Sequence, residues 1–250
     1  MDLTRLAGTG GPVLFWRGPD FDTLDLTGPV IANWVNKGVG LFGDYDLGPD
    51  FTLFVPLPGG LHWRELVAIL SVLLAGGRVV LGEQGDAGGT ASAGGSISAV
   101  PDGDFHALVP VGFESDPAIA SAEEIFVFNP PALALSTPVD ADFIDVNSAI
   151  RAYPDVTPRR LDGSGTLAVL GAAGTTEIPW TAAMTTGSAG PPAGILVSHS
   201  TPQEDQWPDL LGHLLGGGET VLGTGVDEAR IADLARELGE VRGRLGTWTK

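Results

Sequence analysis

Hydrophobic residues in this chain form short uninterrupted runs, and most of these runs are separated by segments with helical spacing. Phe51–Pro56, Arg78–Gly82, Thr166–Leu170 and Thr220–Leu222 are such runs. Runs without polar alternation are typical of strands that are covered on both faces. Between the first two, Leu61–Leu74 places leucine and isoleucine every three or four residues, which predicts a helix. The order strand, helix, strand predicts a β-α-β unit and hence a parallel sheet.

The remaining pattern predicts further flanking helices and shorter strands. The predicted helices are Thr27–Phe42, Asp142–Tyr153, Gln206–Leu215 and Val226–Leu238. The predicted strands are Val13–Trp16, Ile97–Val100, Ala107–Val111, Glu124–Phe128 and Gly194–Val197, with a closing strand or tail at Gly243–Lys250. Gly85–Ser96 is rich in glycine and lacks large apolar residues, which predicts a mobile surface loop.

Part of this order occurs twice. Trp63 opens one predicted helix and Trp207 opens another, and each helix stops at a glycine run that leads into a strand ending in Val-Leu-Gly or Val-Val-Leu-Gly. The spacing differs by a few residues, which favours two related α/β units over a repeat array. We therefore predict an α/β fold with two related subdomains, residues 1–160 and 161–250.

Composition narrows the possible functions. The 250 residues carry 13 basic and 31 acidic side chains, a net charge of −18, which argues against binding to nucleic acid or to an anionic membrane. Cysteine is absent, so disulfides and thiolate chemistry are excluded. The start of the chain carries Asp2 and Arg5 and lacks the apolar segment of a secretory signal, so we expect a cytoplasmic protein.

The usual catalytic patterns are missing from the sequence. His62, His106, His199 and His213 are scattered, with no ligand pair at helical spacing, and each is interpreted as a surface histidine or a satisfied core histidine. We predict no metal site and no catalytic residue, because neither a nucleophile elbow nor a dinucleotide fingerprint is present.

One glycine- and threonine-rich segment carries more information. The strand that ends at Leu170 leads into Gly171–Trp180, a sequence of small and hydroxyl residues. Such a loop after a strand can cradle phosphates, since small residues let backbone N–H groups approach the ligand. An ordinary polar turn explains the same composition, and the residues alone leave both interpretations open.

Ala173–Thr181 resembles the phosphate loop of adenylate-forming enzymes, which has the form Ser-Gly-Thr-Thr-Gly-x-Pro-Lys-Gly. Gly174, Thr175, Thr176 and Pro179 match in register. The preceding helix, the Leu-Gly-Pro-Asp turn and the Trp63 helix are similar to the N-terminal part of acyl-CoA synthetases. More narrowly, the chain resembles a short actinobacterial family that is similar to a truncated acyl-CoA synthetase. The resemblance implies the AMP-binding fold and a degenerate phosphate loop at Gly174, Thr175, Thr176, Glu177 and Trp180.

The departures from that motif determine the expected function. Glu177 stands where the motif has glycine, and Trp180 stands where it has lysine. A carboxylate near phosphate oxygens repels them, and the lysine that would stabilise them is missing. We therefore expect a non-catalytic relative, a pseudoenzyme without a cofactor, that binds an unidentified protein or small molecule. The alternative is AMP-forming acid activation with ATP and CoA, completed by another chain; an unrelated small-molecule enzyme on the same fold is a third possibility.

Overall fold

The computed structural model describes residues 3–58, 60–82, 97–161, 163–171, 174–178 and 192–248. The helices are α1 (Thr4–Ala7), α2 (Gly28–Gly43), α3 (Trp63–Leu74), α4 (Val146–Ala149), α5 (Trp207–Leu215) and α6 (Glu228–Leu238). The first seven strands are β1 (Pro12–Arg17), β2 (Thr23–Thr27), β3 (Thr52–Val55), β4 (Arg78–Gly82), β5 (His106–Pro110), β6 (Ile125–Phe128) and β7 (Ile144–Asp145). The last five are β8 (Thr166–Gly171), β9 (Gly174–Ile178), β10 (Ile195–Ser198), β11 (Thr220–Gly223) and β12 (Val241–Leu245).

The strands form two sheets. A five-stranded sheet has the order β12-β10-β11-β1-β2, and a seven-stranded sheet has the order β7-β6-β5-β3-β4-β8-β9. Neighbouring strands are parallel except in the two hairpins, β1–β2 and β8–β9. The four apolar runs that predicted buried parallel strands are β3, β4, β8 and β11, and each has parallel neighbours. The predicted parallel α/β class is therefore confirmed.

The order of elements that the sequence repeats is present twice in the structure. The β-hairpin of each copy pairs with a strand of the other copy. In the first copy, β1-β2-α2-β3-α3-β4 follow one another, and in the second, β8-β9 lead to β10-α5-β11. Hairpin β1–β2 pairs with β11 of the second copy, and hairpin β8–β9 pairs with β4 of the first. The order β12-β10-β11-β1-β2 in one sheet thus corresponds to β5-β3-β4-β8-β9 in the other.

Because of this exchange, each sheet draws strands from both sides of residue 160. The strand order therefore does not follow the predicted boundary between 1–160 and 161–250. The predicted division into two subdomains stays a prediction, because the strand order of a sheet does not decide which parts of the chain form separate subdomains.

Helices fill the space between the two sheets. All twelve residues of α3 are buried, as expected for a helix with a neighbour on every side. The main core joins α2, α3 and α5 to the inner faces of both sheets. A second core lies on the outer face of the seven-stranded sheet around Phe54, Phe105 and Val127. A third packs α6 on the outer face of the five-stranded sheet through Ile231 and Ala235.

Some predicted elements differ from the structure. Ile97–Val100 has no regular structure instead of the predicted strand. The predicted helix Asp142–Tyr153 is the short strand β7, then α4, then a 3₁₀ turn at Ile150–Ala152. Its helical part starts late because the Asp145 carboxylate accepts a hydrogen bond from Ser148 N, at 3.2 Å, and so caps α4. The predicted mobile loop Gly85–Ser96 lies outside the described residues.

Within the part of the chain that the structure describes, no helix is long and apolar enough to cross a lipid bilayer.

Candidate functional site

The predicted phosphate-loop residues lie on a strand. Gly174, Thr175, Thr176 and Glu177 belong to β9, which is the edge strand of the seven-stranded sheet, and all four are exposed. Thr175 lies opposite Leu170, and Glu177 lies opposite Ala168, in antiparallel register with β8. The prediction that this segment is a loop is therefore wrong: it is the second strand of a hairpin. A strand position suits β-branched threonine. Trp180 lies outside the described residues, and phosphate binding by this segment stays a prediction.

Glu177 has a counterpart in the other copy of the hairpin. In the other copy of the hairpin, Asp25 of β2 lies opposite Phe15, just as Glu177 lies opposite Ala168. Asp25 accepts a hydrogen bond from Arg17 at 2.6 Å and forms an ion pair with it. Leu170 occupies the position that corresponds to Arg17, so the two hairpins share a carboxylate position but not its cation.

A second segment, which was not among the predicted sites, fits the same loop pattern. Residues 187–194 read Gly-Ser-Ala-Gly-Pro-Pro-Ala-Gly, and they match both inner glycines, the proline and the final glycine of Gly-Thr-Thr-Gly-x-Pro-Lys-Gly. Ala193 stands at the lysine position. Gly194 directly precedes β10 and has a φ of +74°, where glycine is favoured. The retained glycines are the signal that could have found this segment; residues 187–191 lie outside the described residues.

The carboxyl ends of strands from both sheets meet at a junction around the segment that connects β3 to α3. Trp16 Nε1, on β1, donates to Thr224 Oγ1 at 2.9 Å, and Thr224 Oγ1 donates to Leu61 O at 2.8 Å. A Cβ atom on Gly60 would lie 3.8 Å from Ser200 Cα, beyond β10. In parallel α/β proteins this edge is the usual place for ligands. Here Leu57 and Leu61 are buried in it.

His62 is the titratable group at the centre of this junction. Its Nδ1 accepts a hydrogen bond from Arg64 N at 3.1 Å, and its Nε2 lies 2.9 Å from Pro130 O. Its ring packs edge-on against Trp16, with 4.7 Å between ring centroids. Burial, reinforced by the Arg64 charge, lowers the pKa of His62 to about 3. Of the two interpretations, surface histidine or satisfied core histidine, the structure supports the second: a neutral imidazole with both nitrogens engaged is unsuited to proton transfer.

Glu65 completes the start of α3. Its Oε2 accepts a hydrogen bond from His62 N at 2.7 Å, which together with the His62 ring forms a capping box. The side chain is buried, and burial raises the pKa of Glu65 to about 8. The carboxyl is therefore largely protonated at neutral pH.

Replacing Glu65 by glutamine is expected to change how stability depends on pH. Between the ordinary pKa of 4.5 and the folded-state pKa of about 8, the folded protein retains a proton that the unfolded chain has lost. Wild-type stability from this group is thus fully present below 4.5 and is lost as the pH rises through 8. Glutamine cannot ionise, so the free energy of unfolding of Glu65→Gln should rise relative to wild type, by about 4 kcal/mol between pH 4.5 and 8.5.

Urea denaturation of the wild type and of Glu65→Gln at several pH values measures this difference. The contribution of His62 to the pH dependence is present in both proteins and cancels from the difference. A constant difference across the pH range would contradict the buried, protonated Glu65.

Arg64 lies beside this pair and reaches a neighbouring loop. It is only 8% exposed, and its Nη2 donates to Ala132 O at 3.2 Å and Ala134 O at 3.1 Å. Its guanidinium lies 4.3 Å from the ring centroid of Trp63. Burial lowers the pKa of Arg64 to about 10, which leaves it charged at neutral pH. The Nη2 group of this cation thus donates to two backbone carbonyls, whereas its buried Nε has no hydrogen-bond partner among the described residues.

The described residues contain no group of three or more histidine, cysteine, aspartate or glutamate side chains that could hold a metal ion.

Comparisons with known proteins identify the fold. No protein-family model matches the sequence, and no curated protein matches it. An acyl-CoA synthetase from Brucella canis is similar in structure, with a TM-score of 0.63 and 14% identity over 96% of this chain and 46% of that one. The anthranilate CoA ligase AuaEII, in complex with anthranoyl-AMP, has a TM-score of 0.59 and 13% identity over 94% of this chain and 46% of that one.

A third similar structure is the amide bond synthetase McbA from Marinactinospora thermotolerans. Its TM-score is 0.56 and its identity 15%, over 95% of this chain and 47% of that one. This chain therefore spans less than half the length of each of these proteins. With identities this low, the likeness concerns the fold alone: the chain has the α/β fold of these three proteins, over slightly less than half of their length.

Proposed function

We propose that this chain is a non-catalytic relative of the adenylate-forming ligases and that it binds a protein partner or a small ligand. The proposal rests on the missing lysine, which is replaced in both segments that fit the phosphate-loop pattern. The lysine of the pattern is Trp180 in one and Ala193 in the other. The lysine of the pattern would stabilise the charge on phosphate oxygens with its positive charge, and neither tryptophan nor alanine carries one.

The described residues do not fit nucleotide phosphates. The backbone of β9 is paired with β8 and does not form a concave nest of N–H groups. Glu177 would place a carboxylate close to any phosphate bound along β9. At the junction of the sheets, the Arg64 guanidinium donates to carbonyls and His62 is neutral.

The alternative is an AMP-forming activation of a carboxylic acid that another chain completes. It is favoured by the likeness to a ligase in complex with anthranoyl-AMP.

Restoring the lysine tests which segment descends from a phosphate loop. We expect Ala193→Lys to gain weak Mg-ATP binding in a calorimetric titration, because the flanking glycines and the proline of that segment are intact. The double variant Glu177→Gly, Trp180→Lys tests the other segment under the same conditions. Formation of acyl-adenylate by the unmodified chain, measured as ATP–pyrophosphate exchange with a panel of carboxylic acids, would overturn the non-catalytic assignment.

A further inference from the structure

A cavity of about 280 Å³ lies between α2 and the segment 153–159, which follows α4 and its 3₁₀ turn. We call it the α2 cavity. Because α2 leads into the start of β3, the cavity lies at the amino-terminal edge of the seven-stranded sheet, on the opposite side from the junction of the sheets. Neither the junction nor β9 contributes to its lining.

Polar contacts hold the segment 153–159 against α2. Lys37 Nζ donates to Tyr153 O and forms an ion pair with Asp155 Oδ1 at 3.0 Å. Asn36 Nδ2 donates to Asp155 O at 2.8 Å. The Tyr153 ring lies against α2 at Gly40, where a Cβ atom would come within 2.7 Å of Tyr153 Cδ1. The walls of the cavity are therefore in place before a ligand arrives, which lowers the cost of ordering on binding.

Two opposite charges line the α2 cavity without pairing with each other. Arg159 Nη1 donates to Leu47 O, and Arg159 Nη2 and Nε lie 3.7 and 3.8 Å from the position that a Cβ on Gly43 would take. Asp44 follows Gly43 directly, and its Oδ2 accepts a hydrogen bond from the Tyr153 hydroxyl. Among the described residues, no ion pair joins Asp44 to Arg159. One guanidinium edge and one carboxylate oxygen thus remain for a ligand beside Gly43.

The rest of the lining is largely apolar. It consists of Val39, Pro154, Val156, Pro158, the Tyr153 ring and the two glycines, together with the neutral polar residues Asn36 and Thr157. Val156 is 73% exposed, so a ligand in the cavity gains apolar contact at its rim. Other charged residues close in sequence do not line the cavity: Lys37, Asp46, Asp50, Asp155 and Arg160. Asp44 and Arg159 therefore set the charge that a ligand meets there.

We propose that the α2 cavity binds a free α-amino acid with an apolar side chain. The amino acid's carboxylate takes the Nε–Nη2 edge of Arg159, a fork that matches a carboxylate in a bidentate contact. Its ammonium group donates to Asp44 Oδ1, and its side chain lies against Val39 and the Tyr153 ring. An α-amino acid carries both charges on one carbon, which fits two opposite charges that both border Gly43.

The volume supports a ligand of this size. Cavities for drug-sized ligands measure about 300–1,000 Å³, and the α2 cavity, at about 280 Å³, is slightly smaller, so a single amino acid suits it better than a peptide. The inference goes beyond the proposed function, because it holds whether or not the chain acts on ATP.

A titration of the full chain with L-leucine, followed by ¹H–¹⁵N NMR, tests the proposal. We expect saturable shifts at residues 36–44 and 153–159. N-acetyl-leucine lacks the ammonium group and leucinamide lacks the carboxylate, so each should bind about tenfold more weakly or worse than leucine. Glycine lacks the apolar side chain and should also bind more weakly. Equal binding of leucine and either analogue would overturn the proposal, since one of the two charges would then be unused.

Variants of the lining are compared in the same titration. Arg159→Gln and Asp44→Asn should each weaken leucine binding about tenfold or more, whereas Arg236→Gln and Asp233→Asn, which alter an exposed ion pair on α6, should leave it unchanged. Gly43→Leu fills the cavity and should abolish binding. Its Cβ meets Arg159 only at ordinary contact distance, so this variant should fold, which circular dichroism checks.

Three results would contradict the α2 cavity as an amino-acid site: no binding of any standard amino acid to the wild type, shifts confined to other residues, or unchanged leucine binding by Gly43→Leu. Mg-ATP binding by the wild type would overturn the proposed function alone, so the two failures are distinguishable.

Discussion

Replacing Trp16 by alanine is expected to destabilise the protein by about 3–5 kcal/mol, because a large buried aromatic side chain is lost and a cavity is left. Trp16 is 1% exposed, packs against the His62 ring and donates to Thr224. It comes from the exchanged hairpin and contacts the segment that connects β3 to α3, so its removal loosens the two sheets from each other. Chemical denaturation followed by circular dichroism measures the loss.

Phe21→Ala is the matched control for Trp16→Ala. Phe21 is also aromatic and lies only five positions away, but it is exposed, so its removal should change stability by about 0.5 kcal/mol or less. Equal losses for the two variants would mean that Trp16 does not join the sheets.

Replacing Arg64 by alanine is the second change with a large expected effect. The variant removes the Arg64 donor from the buried Ala132 carbonyl and one of two donors from the Ala134 carbonyl, and it removes the cation–π contact with Trp63. We expect a loss of about 2–4 kcal/mol, because buried acceptors without donors are costly. Backbone hydrogen exchange at residues 131–136 should accelerate at the same time, since Arg64 anchors this loop.

Arg236→Ala is the control for Arg64→Ala. Its ion pair with Asp233 is exposed on both sides, and such pairs contribute about 0–1 kcal/mol. If Arg64→Ala were as mild as this control, the loop of residues 131–136 would be held by groups other than Arg64.

The sequence predicts the parallel strands well, because strands covered on both faces require uninterrupted apolar runs. Phe51–Pro56 and Arg78–Gly82 are found as β3 and β4, and the leucine spacing of residues 61–74 is found as α3. Trp63 and Trp207, which open the two predicted helices, each begin a helix of the structure.

The hairpins were harder to predict. β2 alternates polar and apolar residues over only five positions, and β9 is a run of glycine, threonine and glutamate that also suits a loop. Their pairing joins β1 to β11, about 200 positions away, and β8 to β4. No local pattern encodes such a partner, so neither the exchange nor the position of Glu177 could be read from the sequence.

The junction between the two sheets could not be predicted from sequence patterns either. His62 is an isolated histidine in the sequence, and its partners come from Pro130, Trp16 and the turn of its own helix. Its interpretation as a satisfied core histidine agrees with its geometry. Its low pKa arises from burial, which depends on how the two sheets pack.

A calorimetric titration of Mg-ATP into the wild-type chain tests the central claim most directly. The absence of a lysine at either candidate loop predicts no binding in the micromolar range. A dissociation constant near 1 μM, which corresponds to about −8 kcal/mol, would contradict the account, because it would require a phosphate site that uses other residues of this chain.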